Sequence, residues 1–151
     1  METNKVILRV YDIGNEAITK TISLMIGKEI KGIFHTSVEI FGSEYYFQNK
    51  ITMSLPNKTT FGNPVRIHTL GETSVTREML EEYLEILEHK YNSSSYHLIH
   101  NNCNNFTDTV CLFLVEKNIP EYILEVQELA AENEMICGMV ALMNRERDSK
   151  F

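Results

Sequence analysis

A cysteine in an unusually polar segment has the surroundings that best suit nucleophilic chemistry in this sequence. Cys103 lies within His-Asn-Asn-Cys-Asn-Asn-Phe, residues 100–106, just before an apolar pattern of helical period. A thiol at a helix N-terminus faces unpaired backbone N–H groups and the positive end of the dipole, and both favour the thiolate. The same N–H groups can hold the oxyanion of a tetrahedral intermediate. Cys103 is therefore the candidate nucleophile, although the pattern alone leaves open that it is a small buried hydrophobic residue.

The two other cysteines are predicted to be packing residues. Cys111 follows Val110 inside the helical pattern, and Cys137 follows Ile136. The odd number of cysteines and the lack of a signal-peptide pattern argue against a disulfide framework. There is no Cys-x-x-Cys pair, which argues against a structural zinc site. The sequence therefore predicts no metal and no cofactor.

A nucleophilic thiol needs a base, and histidine is the usual one. The sequence offers His35, His68, His89, His97 and His100. A cysteine in the first turn of a helix needs an imidazole from another element, and His35 starts a predicted strand, which is a rigid support. Spacing alone does not select His35 over His97 or His100, which are near Cys103 in the sequence.

Alternation of apolar and polar residues predicts the strands that must carry the base. It indicates strands at 5–13 and 35–41, and the turn at Gly42-Ser43 with the aromatic segment after it makes 35–47 a β-hairpin. Pro56, Asn57 and Gly62 predict a loop, after which 64–70 is a further candidate strand.

Helical periodicity predicts the elements that follow. One helix covers about 77–90 with Thr76 as its N-cap, and a second begins near Cys103 with Asn101 or Asn102 as its N-cap. The tail 125–143 is also helical in pattern. Strands followed by helices favour an α+β fold.

Composition bounds the class of protein. The chain has 151 residues, 43% of them hydrophobic, and a net charge of −7. This predicts one packed domain and argues against nucleic acid as the main partner, because phosphate binding needs clustered Lys and Arg. No apolar run is long enough for a transmembrane helix, so no stable membrane insertion is expected. Without a signal-peptide pattern, a cytoplasmic or nuclear location is expected.

Two blocks of the sequence resemble the PPPDE family, also called DeSI-type deSUMOylating isopeptidases. The first is Gly-Ile-Phe-His-Thr-Ser-Val-Glu-Ile, residues 32–40, followed by Glu-Tyr-Tyr-Phe at 44–47; the second is residues 96–106. The order of strand histidine first and helix cysteine second is the family's order. The resemblance covers about Lys5 to Ile123. It implies a permuted papain-like fold, with an antiparallel sheet or small barrel packed against helices.

The resemblance also implies an activity and a dyad. Cys103 and His35 match the family's catalytic cysteine and histidine, which hydrolyse isopeptide bonds between lysines and SUMO or ubiquitin-like modifiers. SUMO- or ubiquitin-like-modified proteins are then the partners, and homodimers are known in the family. Two other readings stay open: a protein S-depalmitoylase that uses the same dyad for thioesters, and a non-catalytic modifier-binding module that kept the fold.

The remaining expectations concern the substrate groove and the domain limits. Asn102 or Asn104 is a candidate oxyanion donor, although capping and turn roles are favoured for the asparagines here. Tyr45, Tyr46 and Phe47 are candidate groove residues, with Tyr45 and Phe47 chosen, but at least one of the three is expected in the core or on an edge strand, since alternation sends neighbours to opposite faces. The segment Gln-Asn-Lys-Ile at 48–51 replaces a glycine-rich stretch that relatives often have. We expect the thiol-hydrolase domain at 1–125 and a helical extension at 126–151 that packs on it or projects from it.

Overall fold

Five antiparallel strands and five helices make up the part of the chain that the structure describes. The structure is a computed structural model that describes residues 2–150, with side chains up to Met143, so Phe151 at the end of the predicted extension lies outside the described residues. The elements follow one another as β1 Asn4–Asp12, α1 Glu16–Ile26, β2 Phe34–Ile40, β3 Ser43–Gln48, β4 Lys50–Ser54, β5 Arg66–Thr73, α2 Arg77–Leu87, α3 Cys103–Val115, α4 Glu121–Ala131 and α5 Glu134–Lys150. The predicted α+β class is confirmed.

The strands form an open sheet in the order β4-β3-β2-β1-β5, with every neighbouring pair antiparallel. The hairpin predicted at 35–47 is β2 and β3, whereas β4 had no sequence prediction. β3 pairs with β2 only along Val38–Ile40. Within the described residues, the start of β2 therefore has β1 on one side and no strand on the other.

Alternation divides the sheet into two faces. On one face Val6, Leu8, Val10 and Val38 are fully buried beneath α3. Their odd-numbered neighbours, such as Arg9, point to the opposite face. Because a strand's side chains have a period of two, each residue of β2 belongs either to the helix side or to the other side.

The main core lies between the sheet and the helices α2 and α3. Phe106, Val110 and Cys111 of α3 are fully buried in it, together with Leu80 of α2. This confirms the predicted packing role of Cys111. The two helices are amphipathic as their periodicity predicted, although α2 ends at Leu87, before the predicted limit near residue 90.

A second, smaller apolar cluster joins α1, α4 and α5. Ile99, Ala130, Ile136 and Val140 are its buried members, and Cys137 packs against them. The sequence left residues 18–26 undecided; they form α1, whose N-cap Asn15 accepts the Ile18 N–H and whose C-cap Gly27 has a φ of 80°. No helix in the described part of the chain is long and apolar enough to cross a membrane.

A buried carboxylate organises the face of the sheet opposite α3. Glu44 is fully buried, and its Oε1 accepts hydrogen bonds of 2.6 Å from both the Tyr11 and the Ser37 hydroxyls. Its Oε2 accepts the backbone N–H of Asn57 at 2.9 Å, and Arg9 Nη1 lies 3.9 Å away. Arg9 Nη1 also donates to Asn57 Oδ1 at 2.5 Å. Glu44 therefore holds the loop between β4 and β5 against the sheet.

Replacing Glu44 by glutamine should destabilise the fold. Glutamine has one acceptor oxygen in place of two, so either the Asn57 N–H or the Tyr11 and Ser37 hydroxyls lose their acceptor, and the charge that faces Arg9 is removed. We therefore expect the free energy of unfolding to fall by about 3 kcal/mol in urea denaturation. The same change at the exposed Glu85 of α2 is the control and should cost at most about 0.5 kcal/mol. Equal losses in the two variants would contradict the role assigned to Glu44.

Candidate active site

The first turn of α3 is fixed by a capping box. Asn102 is the N-cap, and its Oδ1 accepts the backbone N–H groups of Asn104 at 2.9 Å and Asn105 at 3.3 Å. Asn105 Oδ1 in turn accepts the Asn102 N–H at 3.0 Å. Asn102, one of the two predicted N-caps, thus accepts two backbone N–H groups that have no partner within the helix. The other candidate, Asn101, instead donates to the carbonyl oxygens of Lys90 and Ser95 at 2.9 and 3.1 Å.

Asn104 docks this turn on the open edge of β2. Its Nδ2 donates to the Phe34 carbonyl oxygen at 2.9 Å, and its Oδ1 accepts the Thr36 hydroxyl at 2.8 Å. Asn104 is 4% exposed. Because β3 leaves β2 at Val38, the Phe34 carbonyl oxygen is free to accept the first of these bonds.

Cys103 is the first residue of α3 and its thiol is held inside this junction. The thiol donates to Asn104 Oδ1 at 3.6 Å. Burial raises the pKa of Cys103 to about 11, although the backbone N–H groups of Thr36, Asn104 and Cys103 itself act to lower it. The helix start thus favours the thiolate as the sequence predicted, but desolvation outweighs it, so the thiol is protonated at neutral pH in this conformation.

His35 lies on the same strand edge but its ring occupies an aromatic enclosure. Ring centroids place Phe61 at 3.8 Å, Tyr46 at 5.8 Å and Tyr11 at 6.0 Å from the imidazole. The residue is 3% exposed, and its Nε2 has no hydrogen-bond partner among the side chains that the structure describes. Burial lowers the pKa of His35 to about 4, because desolvation disfavours the imidazolium.

The thiol of Cys103 contacts the strand that bears His35 through the backbone of the next residue. Of the three backbone N–H groups that act on the sulfur, the one from the sheet belongs to Thr36, the residue after His35 along β2. The Thr36 side chain points to α3, whereas His35 shares the opposite face with Ser37, whose hydroxyl bonds Glu44. The start of α3 that carries Cys103 therefore meets the strand that bears His35, whose imidazole is covered by Phe61 and has no hydrogen-bond partner at Nε2.

The other histidines have different surroundings. His68 Nε2 lies 2.8 Å from the Tyr122 hydroxyl, and His97 Nδ1 accepts the backbone N–H of His100 at 3.1 Å. His89 and His100 are exposed. The residues described contain no group of three or more His, Cys, Asp or Glu that could hold a metal ion.

The two aromatic residues predicted to line the groove lie in the main core. Tyr45 is 3% and Phe47 1% exposed, and the Phe47 ring packs against the rings of Tyr91 and Phe106. Alternation sends them to the α3 side of β3, so it is their neighbour Tyr46 that reaches the His35 side. Neither Tyr45 nor Phe47 belongs to the lining of the cavity beside Cys103.

An apolar cavity of about 360 Å³ adjoins the thiol. Cys103, Asn102 and Asn104 belong to its lining, which is otherwise made mostly of apolar side chains from α1, α4 and α5. The asparagine amides there are already engaged, since Asn102 Nδ2 donates to Leu98 and Gln127 and Asn104 Nδ2 donates to Phe34. This set of bonds supports their capping and docking roles rather than the predicted oxyanion role.

Two residues of the site had no signal in the sequence. Phe61 lies in the predicted loop and stacks on His35 across 26 positions of the chain. Gln127 contacts the capping box from α4. Both contacts are made between distant segments, and local patterns of residue types carry no information about them.

Comparison with known proteins identifies the family of the chain. Residues 4–143 match the family model described as "PPPDE putative peptidase domain". Desumoylating isopeptidase 1 of Xenopus laevis is 41% identical over 121 residues, which is 79% of this chain and 72% of the relative. Desumoylating isopeptidase 1 of Homo sapiens is 35% identical over the same shares, and DeSI-like protein sdu1 of Schizosaccharomyces pombe is 23% identical over 83% of this chain and 65% of its own. The resemblance seen in the sequence is confirmed, and the chain belongs to the PPPDE peptidase family.

Proposed function

We propose that this protein is a cysteine isopeptidase that removes SUMO or a ubiquitin-like modifier from lysine side chains, with Cys103 as nucleophile and His35 as base. The observation that carries the proposal is the position of Cys103, at a capped helix start and against the open edge of the strand that bears His35. The relatives named desumoylating isopeptidase supply the substrate class. Proteins modified with SUMO or a similar modifier are the partners it requires.

The proposed reaction is acyl transfer through a thioester. His35 takes the thiol proton, and the sulfur attacks the carbonyl carbon of the modifier's C-terminal residue. Collapse of the tetrahedral intermediate breaks the bond to the lysine nitrogen, which leaves as an amine with the proton from His35. Water then attacks the thioester, His35 accepts one of its protons and returns it to the sulfur, and the modifier leaves as a carboxylic acid.

The backbone N–H of Cys103 is the donor we assign to the oxyanion. The next two N–H groups of the helix start bond Asn102 Oδ1, and the Asn102 and Asn104 side-chain donors are engaged elsewhere. The Cys103 N–H faces its own sulfur. A carbonyl attacked by that sulfur would bring its oxygen within reach of this N–H.

The protonation states of Cys103 and His35 define a resting form, which must change before the sulfur can attack the substrate. A thiol with a pKa of about 11 and an imidazole with a pKa of about 4 are both neutral at pH 7. Proton transfer from one to the other is unfavourable while both are buried and Nε2 is unpaired. We therefore propose that substrate binding displaces Phe61, which admits water or the thiol to the His35 ring.

A second candidate function, S-depalmitoylation, is favoured by the cavity. Its volume of about 360 Å³ and its apolar lining suit a long acyl chain, and Cys103 belongs to that lining. Thioester cleavage would use the same nucleophile and base. The two functions therefore differ in what occupies the cavity and not in the chemistry at sulfur.

Removal of the nucleophile is the first test. Cys103→Ala should lower hydrolysis of a SUMO–lysine isopeptide conjugate to background, because no acyl-enzyme can form, as followed by gel densitometry over time. Cys137→Ala removes a thiol of the second apolar cluster and should retain the unsubstituted rate. Full hydrolysis by Cys103→Ala would refute the assignment of the nucleophile.

Removal of the cover over His35 tests the resting form. Phe61→Ala admits water to the ring and relieves the penalty on the imidazolium, so the pKa of His35 should rise from about 4 toward its ordinary value near 6.5. The measurement is an NMR pH titration of the imidazole C2 proton. Phe113→Ala removes a ring stacked on Tyr83 at 4.0 Å and should leave that titration unchanged. If the His35 titration does not move in Phe61→Ala, the gating role of Phe61 is wrong.

Parallel assays separate the two candidate functions. We expect the protein to release SUMO from a lysine conjugate faster than it cleaves a palmitoyl-thioester peptide, each measured as kcat/KM with Cys103→Ala as the blank. Ala130→Phe, which adds a ring on the cavity wall, should reduce thioester cleavage far more than isopeptide cleavage. Cleavage of the thioester alone would replace the isopeptidase proposal by the second candidate.

A further inference from the structure

Gln127 joins α4 to the turn that carries Cys103. Its Oε1 accepts a hydrogen bond from Asn102 Nδ2 at 3.0 Å, and its Nε2 donates to Asn105 Oδ1 at 3.1 Å and to the Ile99 carbonyl oxygen at 3.3 Å. Asn102 and Asn105 are the two members of the capping box on either side of Cys103. A single side chain thus contacts both ends of that box.

These bonds fix the orientation of the Asn102 amide. Asn102 Nδ2 lies between Gln127 Oε1 and the Leu98 carbonyl oxygen, at 3.0 and 2.9 Å. Asn102 Oδ1 must then face the N–H groups of α3, which is the orientation the cap needs. If the Asn102 amide were flipped, its N–H groups would face the backbone N–H groups of the helix. The Gln127 side-chain oxygen and the Leu98 backbone carbonyl oxygen would then lose their donor.

Gln127 is also a polar residue in an apolar wall. It belongs to the lining of the cavity, where its neighbours on α4 are Ile123, Val126 and Ala130. Placing an amide in such surroundings is unfavourable unless its polar atoms are hydrogen-bonded, and both of its polar atoms are. A packing role alone would be met by an apolar side chain, so its bonds to the capping box call for another explanation.

We propose that Gln127 is a positioning residue that holds the Cys103 turn in its reactive geometry and couples that geometry to the wall of the apolar cavity. This inference rests on the proposed function for its activity readout, but its geometry is independent of the substrate. Gln127 acts through Asn102 and Asn105 and does not itself touch the reacting atoms. Any occupant of the cavity that moves α4 also moves the amide that orients the cap.

The substitution Gln127→Leu tests the proposal with two readouts. It keeps a similar volume but removes both polar atoms, so the cap loses its fixed orientation and the N–H groups stabilise the thiolate less. The rate of Cys103 alkylation by iodoacetamide, located by peptide mass spectrometry, should shift to higher pH. On the SUMO conjugate, kcat should fall by about tenfold with little change in KM, since about one net hydrogen bond is lost at the reacting turn.

Two further variants make the result decisive. Gln127→Glu keeps the acceptor for Asn102 Nδ2 but sets an oxygen against Asn105 Oδ1 and the Ile99 carbonyl oxygen, and its negative charge disfavours the thiolate, so the alkylation profile should shift at least as far. Glu128→Gln, at the exposed next position of α4, should leave the profile and kcat unchanged. If Gln127→Leu does not fold, Gln127→Met and Gln127→Glu carry the same test.

The outcomes separate positioning from simple stabilisation. A lower melting temperature in folded Gln127→Leu, with the alkylation profile and kcat of the unsubstituted protein, would overturn the proposal, because a structural role alone predicts that pattern. Alkylation requires no substrate. If the unsubstituted protein cleaves neither the SUMO conjugate nor the palmitoyl-thioester peptide, the proposed function is rejected. The pH profile of Cys103 alkylation would still decide the role of Gln127.

Discussion

The hydrogen bonds of Asn104 to β2 are the junction on which the site depends. They tie the first turn of a helix to a strand 68 positions earlier in the chain, through the Phe34 carbonyl oxygen and the Thr36 hydroxyl. The junction is possible because β3 pairs with β2 only from Val38 onward, which leaves backbone groups at the start of β2 open. An early divergence of two strands thus creates the place where a helix start and a strand edge meet.

Burial at this junction has opposing consequences. It orders the thiol and the imidazole, but it also raises the pKa of Cys103 and lowers that of His35, so the neutral pair is stable and the ion pair is not. The N–H groups of the helix start favour the thiolate and are outweighed by desolvation. In the proposed mechanism, the two groups therefore stay unreactive until water or substrate alters their surroundings.

The sequence predicted the elements better than their long-range contacts. Alternation identified the strand of His35, and the polar segment before an apolar pattern identified the helix start with Asn102 as one of two candidate caps. Alternation also showed that Tyr45 and Tyr46 point to opposite faces, but not which face α3 covers, and the choice of Tyr45 and Phe47 for the groove depended on that missing fact. Packing between distant segments decides which face of β3 is covered by α3. Contacts of the same kind explain why the roles of Phe61, Glu44 and Gln127 could not be predicted from the sequence. The residues of α1 are mixed in character because one side of the helix packs on α4 and α5 and the other is exposed.

The volume of the apolar cavity beside Cys103 can be compared with the space that each candidate substrate needs. A modifier tail that ends in two glycines has no side chains at those positions and requires only a narrow channel to the sulfur. About 360 Å³ of apolar space beside Cys103 exceeds that requirement. Under the proposed functions, an apolar group larger than glycine suits this space: either side chains that precede the diglycine or the acyl chain of a thioester. Because Gln127 connects this wall to the cap of α3, whichever group fills the cavity also contacts the element that orients the nucleophile. Under the proposed role of Gln127, recognition and reactivity are linked through α4, so substrate preference and catalytic rate should vary together when residues of α4 are changed.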